Sequence, residues 1–380
     1  MIPIAETLLD WYARHGRHDL PWRQTRDPYH LWLAEIMLQQ TQVESAKPYY
    51  ARFLQALPNW QALAAAPQDQ VLALWSGLGY YARARNAQRA AQEVVTGFGG
   101  HFPDTLEAAV TLPGVGRSTA AAVLASAYGQ RQAILDANAR RVLIRSHAIE
   151  ADLKVSATQR WLWALASALT PENAHGYNQA IQDLGAMICT PRQPRCAACP
   201  LVSRCLAHAQ GRSHALPVIV NKAPKPQRCA FFLLVVDTEG RILLEKRPDS
   251  GIWGGLWSLP QAAPDGGAFP ILCSGALHPL EDTPALRQSL QAAWSHRLGL
   301  NIQLEALEEE QQHVFTHFQL RFRCVHARVL DSAVADSAAA LRWYRPADAL
   351  AQGLPTPIRR ILRERNGGAN PRFGLFVPPT

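Results

Sequence analysis

Two sets of residues in this chain have the types and spacing to do chemistry. Cys189, Cys196, Cys199 and Cys205 fall within CTPRQPRCAACPLVSRC, four of the seven cysteines in 380 residues. Gaps of six, two and five residues let one loop wrap four sulfurs around a single centre. Four thiolates suit a tetrahedral zinc or an iron–sulfur cluster. The spacing favours [4Fe–4S], because zinc sites more often carry two C-x2-C pairs, and it leaves both open. Pro191, Pro194 and Pro200 make the segment a loop, and Arg192, Arg195 and Arg204 offset the charge of the sulfurs.

The second set is a pair of carboxyls. Glu35 stands in YHLWLAEIMLQQT among Leu31, Trp32, Leu33, Ile36, Met37 and Leu38. A carboxyl in such company is desolvated, which raises its pKa into the proton-donating range. The bland alternative is a core glutamate satisfied by Arg23 or a distant arginine. Asp136, in AILDANARRVLIR, precedes a basic helical segment and suits a helix N-cap. There a carboxylate keeps its charge and can steady positive charge developing on a substrate. One acid to give a proton and one anion to hold charge is the division expected of a bond-breaking site.

These residues need a frame. From about Leu8 to Leu206 apolar residues recur at helical spacing between Pro and Gly breaks. Within this run, LPGVGRSTAAAVLASAYG reads as a tight turn between helices. Gly114 and Gly116 there leave backbone N–H groups free to hold a phosphate, directly or through a monovalent cation, the alternative being an ordinary helix–turn–helix corner. Then SHALPVIVNKAPKPQR reads as a basic linker. Beyond it CAFFLLVVD, RILLEKR and FTHFQLRFRCVHARVL are strand-like, with TPALRQSLQAAWSHRLG and PIRRILRE as helices.

The net charge of +8 fits a polyanionic partner. Glu6 and Asp10 interrupt the apolar stretch a signal peptide would need, and no run of eighteen apolar residues suggests a membrane span. The expectation is a monomeric, cytoplasmic, nucleoid-associated protein whose thiols stay reduced.

Taken together, Glu35 with MLQQT, LWSGLGYYARARN, LPGVGRSTA, Asp136 and the cysteine run resemble the adenine-DNA glycosylases of the helix–hairpin–helix superfamily. The later half is similar to their Nudix-like domain. The implied fold is multidomain. An all-α glycosylase domain over 1–215 includes a [4Fe–4S] loop at 189–205. A linker at 216–228, an α+β Nudix-like domain over 229–365 and a tail at 366–380 follow.

The resemblance implies excision of adenine opposite 8-oxoguanine or guanine in double-stranded DNA, with Glu35 as the acid that protonates adenine. It also implies Asp136 steadying the sugar, Asn138 orienting it, and Ser118 where related lyases carry a lysine nucleophile. Trp22, Arg23, Leu38 and Gln179 would line the pocket for the extruded base. Gln40, Leu78 and Tyr80 would wedge the duplex, and Thr316 and His317 would meet the oxidised base. Ala137 stands where the family has glycine, a concern if that position needs an unusual dihedral. The Nudix magnesium box is lost, since its carboxylate places fall on Ala292, Ala293, His296 and Arg297. Two other readings are a glycosylase/lyase for oxidised pyrimidines and a non-catalytic mismatch-binding protein.

Overall fold

The computed structural model describes residues 4–218, 224–262, 271–272, 280–330 and 340–366. Residues 219–223 of the expected linker, and the expected tail from 367, lie outside them. The chain forms two compact units, one of residues 1–66 and 85–222, the other of 67–84 and 223–380.

The first unit is helical, with α1 (Ile4–His15), α2 (Pro28–Leu38), α3 (Val43–Ala56), α4 (Trp60–Ala65), most of α6 (Ala82–Gly97), α7 (Leu106–Ala109), α8 (Arg117–Tyr128), α9 (Ala137–Ser146), α10 (Ser156–Leu169), α11 (Ala174–Asp183) and α12 (Leu206–Ala209). Helix α2 begins where the Asp27 side chain accepts from Tyr29 N at 2.8 Å, with Pro28 preset for the first turn. It is apolar on every side, and seven of its eleven residues are buried. An all-round apolar helix belongs in the middle of a bundle. Helix α11 runs directly into a π-turn over Leu184–Ile188 that delivers Cys189.

The hairpin lies between α7 and α8. Helix α7 stops at Ala109, and Val115 N closes a turn onto Leu112 O. Gly114 has φ +77°, open to glycine at little cost, and a Cβ there would sit 2.9 Å from that of Asn86. Gly116, by contrast, is the N-cap of α8 at φ −86°. Its backbone is ordinary.

The second unit carries a mixed sheet ordered β3–β2–β1–β8–β6, formed by β1 (Gln227–Val236), β2 (Ile242–Lys246), β3 (Trp257–Ser258), β6 (Ile302–Leu307) and β8 (Gln319–Val329). Short strands β4 (Gln261–Ala262) and β5 (Ile271–Leu272) pair with β1, β7 (Gln311–Val314) with β8, and β9 (Leu341–Tyr344) with β2. Strands β1 and β8 run parallel, Gln227 opposite Gln319 through Val236 opposite Arg328. As expected of a parallel pair covered on both faces, β1 is buried from Cys229 through Val235. Its odd-numbered residues pack with Leu290 and Trp294 of α13 (Pro284–Leu298). Helices α14 (Pro346–Ala351) and α15 (Thr356–Asn366) complete the unit.

Residues 67–84, placed by sequence in the helical domain, cluster with this second unit. Helix α5 (Gln68–Trp75) explains why. Ser76 Oγ and Tyr81 Oη both donate to Leu354 O at 2.9 Å. Lys246 Nζ meets Asp69 at 2.7 Å, and Gly353 lies so close to Leu72 that a Cβ would come within 3.0 Å. Periodicity identifies this segment as a helix but cannot say which core receives it.

Candidate functional site

In the helical unit a cavity of about 540 Å³ opens between α2, the start of α8, the start of α9 and α11. Glu35, Ser118, Asp136, Asn138, Trp22, Arg23, Leu38 and Gln179, eight of the expected site residues, all line it. Gln40 is exposed past the end of α2 at φ +59° and does not line the cavity. Glu35 projects from the apolar helix. Burial, followed by the charge of Asp136, pushes its carboxyl up to about 7, and Arg23 opposes this. Arg23 is not its ion-pair partner, however. The Arg23 guanidinium lies on Asp183 at 2.6 and 2.8 Å.

Asp136 caps α9, its Oδ1 accepting from Ala139 N at 2.8 Å. Here sequence reasoning needs correcting. Burial raises this carboxyl too, against the pull of the Ala139 and Asn138 N–H groups and of Arg141 and Arg140. Two desolvated carboxyls thus share the cavity; each feels a nearby cation, but only Asp136 also has backbone N–H donors favouring its charged form. Ala137 is the first residue of a regular helix, outside the positive-φ region, so the alanine imposes no strain.

Ser118 Oγ accepts from Leu135 N at 2.9 Å and so ties the head of α8 to the residue before Asp136. Asn138 Oδ1 accepts from Arg141 at 2.8 Å, and Gly185 packs so tightly on Asn138 that a Cβ would come within 2.6 Å. Trp22 sits edge-on to Tyr50.

Several contributors escaped the sequence. Asp183 is fully buried and takes both Arg17 and Arg23, whose guanidinium groups hold its carboxyl below the ordinary range against the cost of burial. Its apolar neighbours Ile181 and Leu184 are the same signal that singled out Glu35. Tyr12 Oη donates to Gln179 Oε1, and His175 Nδ1 lies 2.9 Å from Ser126 Oγ and 3.4 Å from Gln179 Nε2. Burial pushes His175 down to about 4, so it is neutral at pH 7.

The four loop cysteines are free thiols lining one pocket with Arg145. Arg145 Nη1 donates to Cys189 Sγ at 3.3 Å, and its other N–H groups hold Thr190 O, Pro191 O and Leu216 O. Burial pushes the Cys199 thiol up to about 11. Among the described residues, only Glu308, Cys324 and His326 bring three candidate ligand atoms within 4.8 Å of one another. No three loop sulfurs are that close. Sulfurs around one zinc stand on the order of 4 Å apart, given Zn–S bonds of ~2.3 Å. Four thiols around one pocket are a donor set for a metal ion or an iron–sulfur cluster.

In the second unit Leu78 is buried, and Tyr80, at φ +50°, is half-exposed with its hydroxyl 3.3 Å from Thr316 Oγ1. Thr316 and His317 occupy the exposed tip of the β7–β8 hairpin. Phe315 and Phe318 stack beneath them at 4.4 Å, and Arg228 lies over Phe318.

Residues 33–167 match the HhH-GPD superfamily of base excision DNA repair proteins, and residues 231–364 match the NUDIX domain family. The adenine DNA glycosylase of Buchnera aphidicola subsp. Baizongia pistaciae is 33% identical over 358 residues, covering 94% of this chain and 95% of the relative. That of Mus musculus is 36% identical over 415 aligned positions, covering 95% and 77%. A solved thermostable thymine-DNA glycosylase superposes with a TM-score of 0.50 at 31% identity, covering 54% of this chain and 95% of that one. Likeness of this extent, over a cavity with paired carboxyls, means that the chain belongs to the adenine DNA glycosylase family: it is a DNA N-glycosylase of base excision repair.

Proposed function

We propose that the enzyme removes adenine paired with 8-oxoguanine or guanine from duplex DNA, by acid-assisted hydrolysis of the N-glycosidic bond. The observation that carries this is the pairing of a desolvated, proton-holding Glu35 with an N-capping Asp136 across one cavity. Adenine must leave the stack to enter it. Glu35 then gives its proton to N7, and the C1′–N9 bond breaks with its electron pair going to the base, so adenine departs neutral. Asp136, supported by the α9 N-terminus, steadies the positive sugar. Water adds to C1′, and its proton returns to the Glu35 carboxylate. General acid catalysis supplies ~10²–10⁴-fold. Electrostatic stabilisation and positioning account for the rest.

The hairpin glycines, Gly114 and Gly116, hold backbone phosphate, directly or through a monovalent cation when DNA is bound. Gln40 and Tyr80 fill the duplex around the lesion, with Leu78 behind, and Thr316 and His317 read the opposite base. Cys189, Cys196, Cys199 and Cys205 would hold a [4Fe–4S] cluster, supported by four free thiols lining one pocket. Its chemistry there is cross-linking of the loop. The lyase reading lacks support, because no lysine lines the cavity and Ser118 Oγ already accepts from Leu135 N.

The test is single-turnover release of adenine from duplexes carrying 8-oxoguanine:adenine, guanine:adenine or thymine:adenine. Release from the first two and not the third is expected. Equal release from all three would defeat the substrate assignment.

A further inference from the structure

The second unit contains a set of side chains that the glycosylase reaction leaves unused. Cys324 and His326 are two apart on β8 and so project from the same face of the sheet. Glu308 follows β6, and its N–H pairs with Cys324 O at 2.8 Å, placing its side chain beside theirs. The thiol, the imidazole and one carboxylate oxygen all lie within 4.8 Å of one another. Cys324 is a free, fully buried thiol, while His326 and Glu308 are only partly covered, which leaves an approach from solvent.

We propose that Glu308, Cys324 and His326 form a binding site for a zinc-class divalent ion, with water as the fourth ligand. A soft sulfur, an imidazole and a carboxylate suit zinc or cobalt and do not suit magnesium or calcium. On binding, Cys324 releases its thiol proton to solvent as the sulfur–metal bond forms, so thiolate and carboxylate together balance the two charges of the ion. His326 Nε2 lies 2.6 Å from Glu308 Oε1. Ligands of one zinc at bond lengths of ~2.0–2.1 Å stand about 3.3 Å apart. The ion therefore replaces that hydrogen bond with two metal bonds and parts the pair by somewhat over half an ångström. Its effect is to clamp the turn between β6 and β7 onto β8. That turn leads into the hairpin bearing Thr316 and His317.

Intact protein dialysed against zinc and freed of excess should retain about one zinc per chain, with iron content and visible absorption unchanged. C324A and H326Q should each lose it. Cobalt should add a sulfur-to-metal charge-transfer band to the difference spectrum, absent in C324A. Should C324A fail to fold, E308Q and H326Q carry the stoichiometry, and the cobalt band of the wild type reports the sulfur. No retained zinc, equal zinc in wild type and every folded variant, or a cobalt spectrum without the sulfur band would each overturn the site.

Discussion

Glu35→Gln should make the enzyme inactive and, above neutral pH, more stable. The Glu35 carboxyl is pushed from an ordinary 4.5 to about 7. A carboxyl whose folded pKa is raised contributes stability that is complete below its unfolded value and is lost as pH rises through the folded one. At about 1.4 kcal/mol per pKa unit, the loss is about 3 kcal/mol once pH exceeds 7. Glutamine cannot ionise, so E35Q escapes it. Urea unfolding followed by helical circular dichroism should show the E35Q-minus-wild-type difference growing by about 2 kcal/mol between about pH 5.5 and about pH 8.5. Adenine release by the wild type should fall about tenfold per pH unit above 7, following the protonated fraction. A pH-independent stability difference would refute the desolvation argument. Release undiminished in E35Q would refute the role of Glu35 as the acid.

Four substitutions probe the surrounding parts. Asp136→Asn keeps an acceptor for Ala139 N and should cost under ~1 kcal/mol of stability, while single-turnover release falls on the order of 10²–10³-fold. Asp183→Asn strips two arginines of their buried partner, so thermal unfolding should reveal a loss of ~3–5 kcal/mol and duplex substrate should be processed poorly. Gly114→Ala must hold a positive φ beside Asn86, and should cost about 1–2 kcal/mol while weakening duplex binding in a filter or anisotropy assay. Thr316→Ala should narrow the rate preference for 8-oxoguanine:adenine over guanine:adenine by about 5–10-fold, ~1 kcal/mol, and leave release from guanine:adenine nearly unchanged.

Much of the site could be read before folding because its residues break local rules. A glutamate ringed by Trp32, Leu38 and Met37 stands out in an apolar helix, and four cysteines interleaved with prolines read as a loop. The division into a helical and a sheet half came from periodicity, and both α13 and α15 fall where it placed them. What escaped was long-range. Asp183 finds Arg17 and Arg23 some 160 positions earlier in the chain, and residues 67–84 find their core around Leu354. Neither pairing leaves a trace in local spacing. The elevated Asp136 was missed for a related reason. Its capping donors are visible in the sequence, but the burial that outweighs them is created by α2, α8 and α11 closing around it.

Helix α9 has an arrangement with a mechanical consequence. Its head is Asp136, Arg141 near its middle grips Asn138, Gly185 O and Cys189 O, and Arg145 near its tail grips Cys189 Sγ and the next two carbonyls. Ten residues at 1.5 Å each make a stiff rod about 15 Å long. A cysteine loop that slackens therefore pulls on the same rod whose far end sets the Asp136 carboxylate in the cavity. Injury to the sulfurs would be felt as a fault in bond cleavage, in a molecule whose acid and anion are both chemically intact.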